Sequence, residues 1–136
     1  LQYIPSAFAK TDELIAISIP IAKHNGFYCS HIRDEGDTLI ESVQEVIDIG
    51  KGAHLPVHVS HLKSSKKPNW GKVRVAAHLI EQAQHDGLKI TADQYPYTAS
   101  STSIMAMLLP DEEREGGEGR LPAHLGLLRE ARQEAA

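Results

Sequence analysis

Three short runs rich in β-forming residues recur along the chain, and each follows a stretch with the pattern of a helix. The runs are FYCSH at 27–31, PVHVSH at 56–61 and LKITAD at 88–93. Strands that alternate with helices in this way are typical of parallel sheets joined by right-handed crossovers, either as a doubly wound sheet or as a (β/α)8 barrel. A complete barrel needs about 250 residues. A chain of 136 residues would therefore hold less than half of one.

Residues typical of helix ends mark the second and third helical stretches. Thr38 and Glu41 are predicted to form a capping box at the start of the second helix, and Gly50 and Gly52 to end it. The third helix is predicted over 70–85, with its apolar residues on one face. The position of the second helix fixes the strands on either side of it along the chain.

The first helix and the end of the chain carry weaker patterns. The first helix is predicted to start at Thr11 and to be interrupted near Ser18, because Pro20 costs about 3 kcal/mol inside a helix. Residues 111–121 are predicted to be a flexible acidic loop, and the segment from Pro122 a helix.

The composition is that of one soluble globular unit, with 41% hydrophobic residues, 24% charged residues and a net charge of −4. The scattered Lys and Arg residues argue against a nucleic-acid groove. No apolar run approaches the roughly 20 residues of a membrane-spanning helix, and the first residues do not resemble a signal peptide. Together with the single cysteine, Cys29, this predicts a cytoplasmic protein without internal disulfides.

Three residues with metal-binding or acid–base side chains lie at the carboxyl ends of the three predicted strands. These residues are His31, His61 and Asp93. Active sites of α/β folds lie at this edge of the sheet, and adjacent strands are about 4.8 Å apart. Two such histidines are therefore expected to approach each other closely enough to bind one ion.

The alternation of side chains along a strand separates two neighbouring histidines. It places His31 on the face of Cys29 and His61 on the face of Val59, which we expect to be the inner face, and it turns His58 toward the surrounding helices. His61 is thus the predicted chemical residue, and His58 a packing or surface residue. Spacing alone leaves two interpretations open, a metal site and two ordinary hydrogen-bonded histidines, because no HxH, HExxH or CxxC motif is present.

Four segments of the chain resemble one enzyme family. They are YIPSAFAKTDELIAI, YCSHIRDEGDTLIESVQEVIDIG, PVHVSHLKSSKKPNWGK and ITADQYPYTASST. In this order they are similar to the N-acyl-D-amino-acid deacylases (D-aminoacylases) of the amidohydrolase superfamily. The resemblance extends to about Pro110.

The resemblance implies a metal-dependent (β/α)8 (TIM) barrel that hydrolyses the amide bond of N-acyl-D-amino acids to a D-amino acid and a carboxylate. Residues 1–136 would be an internal part of that single catalytic domain, holding about strands five to seven. The cofactor would be Zn²⁺, and His31 and His61 resemble its ligands at the ends of strands five and six.

The resemblance also implies a set of substrate-binding residues. Lys63 resembles the lysine that helps to hold the substrate carboxylate, as a mobile ammonium can. Tyr95 and Tyr3 resemble tyrosines that line the substrate, and Ser101 is a further candidate from the same motif.

Other polar residues near these positions are given structural roles. The family's catalytic aspartate and its further metal ligands lie outside this chain, so Asp93 is not assigned as a base, and no catalytic residue is predicted within it. Arg33, Asp34 and Glu35 are expected to form salt bridges in a helix-entry loop. Cys29 is expected to be a small buried thiol.

Rival interpretations remain open at this stage. A cyclic amidohydrolase of the hydantoinase or dihydroorotase type would share the strand-end histidines, and a truncated, inactive remnant or a small metal-binding module would share the sequence pattern. With two of the usual three or more ligands, the isolated chain is predicted to be inactive and to bind zinc weakly. Its open barrel edges are expected to favour self-association.

Overall fold

The computed structural model describes residues 1–103, which form an α/β fold with three parallel strands. Among these residues, no helix has the length and apolar character needed to cross a membrane. The predicted acidic loop at 111–121 and the helix from Pro122 lie outside the described residues. The helices are α1 (Thr11–Ala22), α2 (Leu39–Ala53) and α3 (Lys72–His85), the strands are β1 (Tyr28–Ser30), β2 (Val57–Val59) and β3 (Ile90–Ala92), and single 3-10 turns span Ser6–Phe8 and Lys67–Asn69.

The strands are parallel, as the alternation of strands and helices predicts, and they lie side by side in the order β1-β2-β3. In the register of the sheet, Cys29 is paired with His58 and His58 with Thr91. Each strand has three residues and is shorter than its predicted run. Because the three strands are parallel, their carboxyl ends meet at one edge of the sheet.

The hydrophobic core fills the space between one face of the sheet and the helices. Val57, Val59 and Ile90 point into it and pack against buried side chains of α2 and α3. The opposite face carries Cys29, His58 and Thr91 and is largely open. The core side chains of α2 and α3 are Leu39, Val43, Val46, Ile47, Ala53, Ala76, Ile80 and Ala83.

The predicted orientation of His58 is wrong. Because Val57 and Val59 pack against the helices, His58 between them points to the open face. In this fold the apolar side chains of β2 pack against the helices, and the polar side chain between them points away from the helices. The buried thiol predicted at Cys29 is wrong for the same reason, since Cys29 is exposed on the open face.

Both predicted ends of α2 differ in detail from the structure. The Thr38 hydroxyl donates to Asp34 at 3.0 Å and makes no capping bond to the helix. The helix passes through Gly50 and ends at Ala53, where His54 takes a left-handed conformation with φ of 54°. A Cβ on Gly50 would lie 2.8 Å from Cγ1 of Val57, so the glycine allows α2 to lie close to β2.

The first helix continues past the predicted interruption. Pro20 lies in the last turn of α1, which ends at Ala22. A proline there removes a single main-chain donor and leaves the preceding turns intact. The third helix is confirmed within two residues of its predicted start, beginning at Lys72 after Gly71, whose φ is 101°.

Candidate metal and substrate site

The two strand-end histidines meet at the carboxyl edge of the sheet. His31 follows β1 and His61 follows β2, and the centroids of their rings are 4.4 Å apart. Nδ1 of His31 and Nε2 of His61 are in direct contact. Parallel strands thus bring two imidazole nitrogens to one point, as the sequence predicts.

The main chain at His61 directs its ring toward His31. His61 has a φ of 42°, so it has left the strand conformation, and its side chain does not continue the row of Val57 and Val59. The predicted convergence is therefore correct, but the alternation argument used for His61 is wrong. A positive φ at a residue other than glycine is uncommon and is held here by surrounding contacts.

Asp93 holds the main chain of His61. Its Oδ1 accepts a hydrogen bond from the main-chain N–H of His61 at 2.7 Å, and its Oδ2 lies 2.8 Å from Nε2 of His58. Nδ1 of His58 lies 2.7 Å from Oγ1 of Thr91. The hydrogen bond from His58, and then the bond from His61, hold the pKa of Asp93 below its usual value. Asp93 is therefore a structural anion, and His58 positions it.

Glu35 and Lys63 surround the other side of the His61 ring. Oε1 of Glu35 lies 2.8 Å from Nδ1 of His61 and 2.6 Å from Nζ of Lys63. Lys63 also lies 2.8 Å from the same ring nitrogen and donates to the carbonyl of His61 at 3.1 Å. The Glu35 side chain is only 6% exposed, so this carboxylate is shielded from water.

The environment of His31 favours its neutral form. His31 is exposed at the edge of the sheet, but partial desolvation of its ring lowers its pKa, and the adjacent His61 ring lowers it further. Tyr3 packs edge-on against His31 at a centroid distance of 5.3 Å, and the amino group of Leu1 donates to the His31 carbonyl. A neutral imidazole is the form that binds metals.

The predicted substrate residues lie around the histidine pair with one exception. Nζ of Lys63 lies 5.4 Å from the centroid of the Tyr95 ring. The Tyr3 hydroxyl, whose ring contacts His31, forms a 3.0 Å hydrogen bond with Thr102. Ser101 is exposed next to Thr102, in a segment without regular structure. Lys63, Tyr95 and Tyr3 thus lie together around the histidine pair. Ser101 is connected to this group by the hydrogen bond between its neighbour Thr102 and Tyr3.

The donor set fits part of a zinc site. Two neutral imidazoles whose nitrogens face one point are suitable zinc ligands, and zinc usually takes three or four protein ligands. Within residues 1–103, no three His, Cys, Asp or Glu side chains come together as a metal-binding group. A complete zinc site would need further ligands in addition to His31 and His61.

Arg33 forms the salt bridge expected of it, whereas Asp34 takes part in the helix-entry loop through hydrogen bonds. Arg33 pairs with Glu45 through two hydrogen bonds, and Asp34 accepts bonds from the main-chain N–H groups of Gly36 and Thr38. Burial raises the pKa of Asp34, but the bonds from Thr38 and Gly36 outweigh it and hold the pKa below its usual value.

Sequence reasoning missed the site roles of Glu35 and His58. The signal available for His58 was the polar row of Cys29, His58 and Thr91, at matched positions of the three strands. For Glu35 no local pattern distinguishes it from its charged neighbours, because its burial depends on Lys63 and His61 far along the chain.

Comparisons with known proteins identify relatives of one kind, although no family model matches the chain. The chain is 38% identical over 104 residues to a D-aminoacylase of Alcaligenes xylosoxydans xylosoxydans, a match that covers 75% of this chain and 21% of that protein. It is 33% identical to an N-acyl-D-glutamate deacylase of the same organism, over 77% of this chain and 22% of the relative. The chain thus spans about a fifth of the length of the curated relatives that it matches.

Solved structures give the same result. The crystal structure of a D-aminoacylase described as defining a novel subset of amidohydrolases matches with a TM-score of 0.67 and 36% identity, over 71% of this chain and 20% of that one. An N-acyl-D-glutamate deacylase of Bordetella bronchiseptica, complexed with zinc and a phosphonate inhibitor, matches with a TM-score of 0.68 and 36% identity, over 70% of this chain and 20% of that one. A further D-aminoacylase structure, with 35% identity, is described as having a binuclear metal centre.

Proposed function

We propose, from the homology of this chain to a segment of the N-acyl-D-amino-acid deacylases, that it is part of a longer hydrolase that cleaves the amide bond of N-acyl-D-amino acids. The reaction releases a D-amino acid and a carboxylate. The observation that carries the proposal is the convergence of His31 and His61 at adjacent strand ends, in a chain 38% identical to a D-aminoacylase. The relatives reported above are deacylases, which favours this substrate class over the cyclic amides of hydantoinases and dihydroorotases.

The fold that we propose for the longer protein is a metal-dependent (β/α)8 barrel, of which residues 1–136 supply part of the single catalytic domain, about strands five to seven. Two features support it. The strands follow one another in the order β1-β2-β3, and the core side chains of α2 and α3 pack on one face of the sheet. In a closed barrel the other face, with Cys29, His58 and Thr91, would point to the barrel interior.

His31 and His61 are the residues that would hold Zn²⁺. The zinc ion, when bound, supplies a Lewis acid that polarises the amide carbonyl and lowers the pKa of a bound water. Three features of this chain support the assignment: the neutral state favoured at His31, the main-chain hydrogen bond that fixes His61, and the position of both rings at the carboxyl edge of the sheet.

Lys63 is the residue that would bind the substrate carboxylate. Its side chain is 19% exposed, and its ammonium lies 2.6 Å from Glu35 and 5.4 Å from the centroid of the Tyr95 ring, so it is held in place and remains partly accessible. Tyr95, Tyr3 and Ser101 would line the substrate, and phenol and hydroxyl groups can bond to a carboxylate or an amide. These residues orient the amide, and the catalytic proton carrier would be an aspartate of another segment.

Three further properties belong to the same proposal. The isolated 136-residue chain would be inactive and would bind zinc weakly, because two histidines do not complete a zinc site. It would self-associate, since β1 and β3 have unpaired edges within residues 1–103 and Phe27 on the open side of the sheet is 61% exposed. A cytoplasmic location agrees with the free thiol of Cys29.

The test is to sequence the DNA that flanks the coding region and to purify the longer protein that the open frame encodes. With zinc present, we expect hydrolysis of N-acetyl-D-amino acids and no comparable hydrolysis of the L-enantiomers. Removing a residue that hydrogen-bonds to a metal ligand lowers activity roughly 10–100-fold. His61→Ala removes a proposed ligand itself, so we expect a larger reduction of kcat/KM. Stop codons on both sides would indicate an inactive remnant, and hydrolysis of hydantoin or dihydroorotate instead would indicate a cyclic amidohydrolase.

A further inference from the structure

Glu35 is the one charged residue that is buried in the part of the chain from Leu1 to Ser103, with 5% of its surface exposed. Burying a carboxylate is unfavourable unless hydrogen bonds and an opposite charge compensate it. Glu35 therefore has to be explained by what it contacts.

Glu35 contacts the far side of the proposed metal ligand. Its Oε1 lies 2.8 Å from Nδ1 of His61, and Nε2 of the same ring faces His31. The main chain of Glu35 is also fixed, because its carbonyl accepts a hydrogen bond from the N–H of Ser65 at 2.6 Å. The main chain of Glu35 is thus held to the loop that follows β2, beside the His61 ring.

The position of the proton on His61 decides whether the residue can act as a ligand. A neutral imidazole carries one N–H, on either Nδ1 or Nε2. With the proton on Nδ1, Oε1 of Glu35 is an acceptor at 2.8 Å, and the lone pair of Nε2 can accept a bond from Nδ1 of His31 or bind a metal ion. With the proton on Nε2, that lone pair is absent.

Lys63 favours the second arrangement, because its ammonium lies 2.8 Å from Nδ1 of His61 and can only donate a hydrogen bond, never accept one. The ammonium has two other partners, however, in Oε1 of Glu35 at 2.6 Å and the carbonyl of His61 at 3.1 Å. Lys63 therefore has acceptors other than the ring nitrogen of His61.

We infer that Glu35 is a positioning residue, whose carboxylate accepts the Nδ1–H of His61, keeps Nε2 available to the metal and holds Lys63 beside the ring. Carboxylates play this part behind many zinc-binding histidines. The inference rests on the proposed function for the metal role of His61. The same carboxylate orients one metal ligand and the lysine assigned to the substrate.

The first arm of the test needs no variant. The ring nitrogens of His61 in the 15N-labelled 136-residue chain are observed by NMR at pH 8, without zinc, where imidazoles are neutral. We expect the chemical shifts of the tautomer protonated on Nδ1. Protonation on Nε2 would overturn the inference whether or not the chain binds zinc.

The second arm compares Glu35→Gln with Glu45→Gln, each in the full chain. Glu45 is a matched control, because it is a carboxylate with only 11% of its side chain exposed, it is paired with Arg33, and no described histidine bonds to it. We expect Glu35→Gln to shift His61 toward the tautomer protonated on Nε2 and to raise the zinc dissociation constant about 10–100-fold. The control should leave both unchanged.

The outcomes separate this inference from the proposed function. If zinc does not perturb the His61 ring in the wild-type chain, the proposed metal site fails, and the tautomer measurement still decides the role of Glu35. If the wild-type chain binds zinc through His61 and Glu35→Gln behaves as Glu45→Gln does, the inference about Glu35 is wrong.

Discussion

The pair of Arg33 and Glu45 connects the N-terminal segment to α2, and its removal is expected to destabilise the fold. The guanidinium donates to both carboxylate oxygens of Glu45, at 3.0 and 2.8 Å, and to the main-chain carbonyls of Ala7 and Ala9, at 2.7 and 2.8 Å. Glu45 also accepts a bond from the Thr11 hydroxyl at 2.8 Å. Arg33→Ala removes four of these five hydrogen bonds.

The expected loss of unfolding free energy is about 2 kcal/mol. Hydrogen bonds to charged groups contribute about 1.5–3 kcal/mol, and breaking a buried pair costs about 3–5 kcal/mol. The Arg33 side chain is 33% exposed, so water replaces part of what is lost, whereas Glu45 is 11% exposed and retains only Thr11. The expected loss is therefore below the cost of breaking a fully buried pair and close to that of one hydrogen bond to a charged group.

Urea denaturation followed by circular dichroism measures the effect, at a chain concentration where the oligomeric state is the same for both proteins. Arg33→Lys is the control, because it keeps the charge but cannot bond to both carboxylate oxygens in the same way. We expect it to lie between the wild type and Arg33→Ala. A loss below about 0.5 kcal/mol for Arg33→Ala would refute the reasoning and place the pair among ordinary surface salt bridges.

The same pair should be sensitive to acid. Burial raises the pKa of Glu45, but the hydrogen bonds from Arg33 and Thr11 more than offset this and hold the pKa below its usual value. A lowered pKa in the folded state means that the stabilisation is complete above the ordinary pKa of about 4 and is lost as the pH falls through the folded value. The difference between wild type and Arg33→Ala should therefore be constant near pH 7 and shrink below about pH 4.

Two further substitutions test the packing of α2 and the support of His61. Gly50→Ala adds a Cβ 2.8 Å from Val57, and overpacking of about 1–3 kcal/mol should outweigh the roughly 1 kcal/mol gained in helix propensity, giving a net loss in urea denaturation; a net gain would show that α2 can move away from the sheet. His58→Ala removes the bond that orients Asp93, so the main-chain N–H of His61 should exchange with deuterium about five-fold faster, for a loss of about 1 kcal/mol. Unchanged exchange at His61 would mean that Asp93 holds its position without His58.

The order of helices and strands could be predicted because it depends on local patterns. The β-rich runs and the apolar stripe of α2 identify the elements, and parallel topology then brings residues at successive strand ends together. For that reason the meeting of His31 and His61 follows from their positions at the ends of consecutive strands.

The details of the site could not be predicted because they depend on contacts between distant residues. The left-handed conformation of His61 is held by Asp93, 32 residues away, and Glu35 is buried by Lys63, 28 residues away. The orientation of His58 depends on which face of the sheet the helices cover, which alternation along one strand does not reveal. Alternation separates His58 from Val59 but does not say which of them is inside.

Zinc binding to variants of the full chain tests the central claim most directly, because His31 and His61 are the proposed ligands. The double variant His31→Ala/His61→Ala is compared by isothermal titration with His78→Ala/His85→Ala, whose side chains are 77% and 92% exposed. We predict weak binding of one zinc ion to the wild-type chain, the same binding in the variant of the two exposed histidines, and no measurable binding when His31 and His61 are absent. Binding that survives the loss of His31 and His61, or that disappears with His78 and His85, would contradict the proposed metal site.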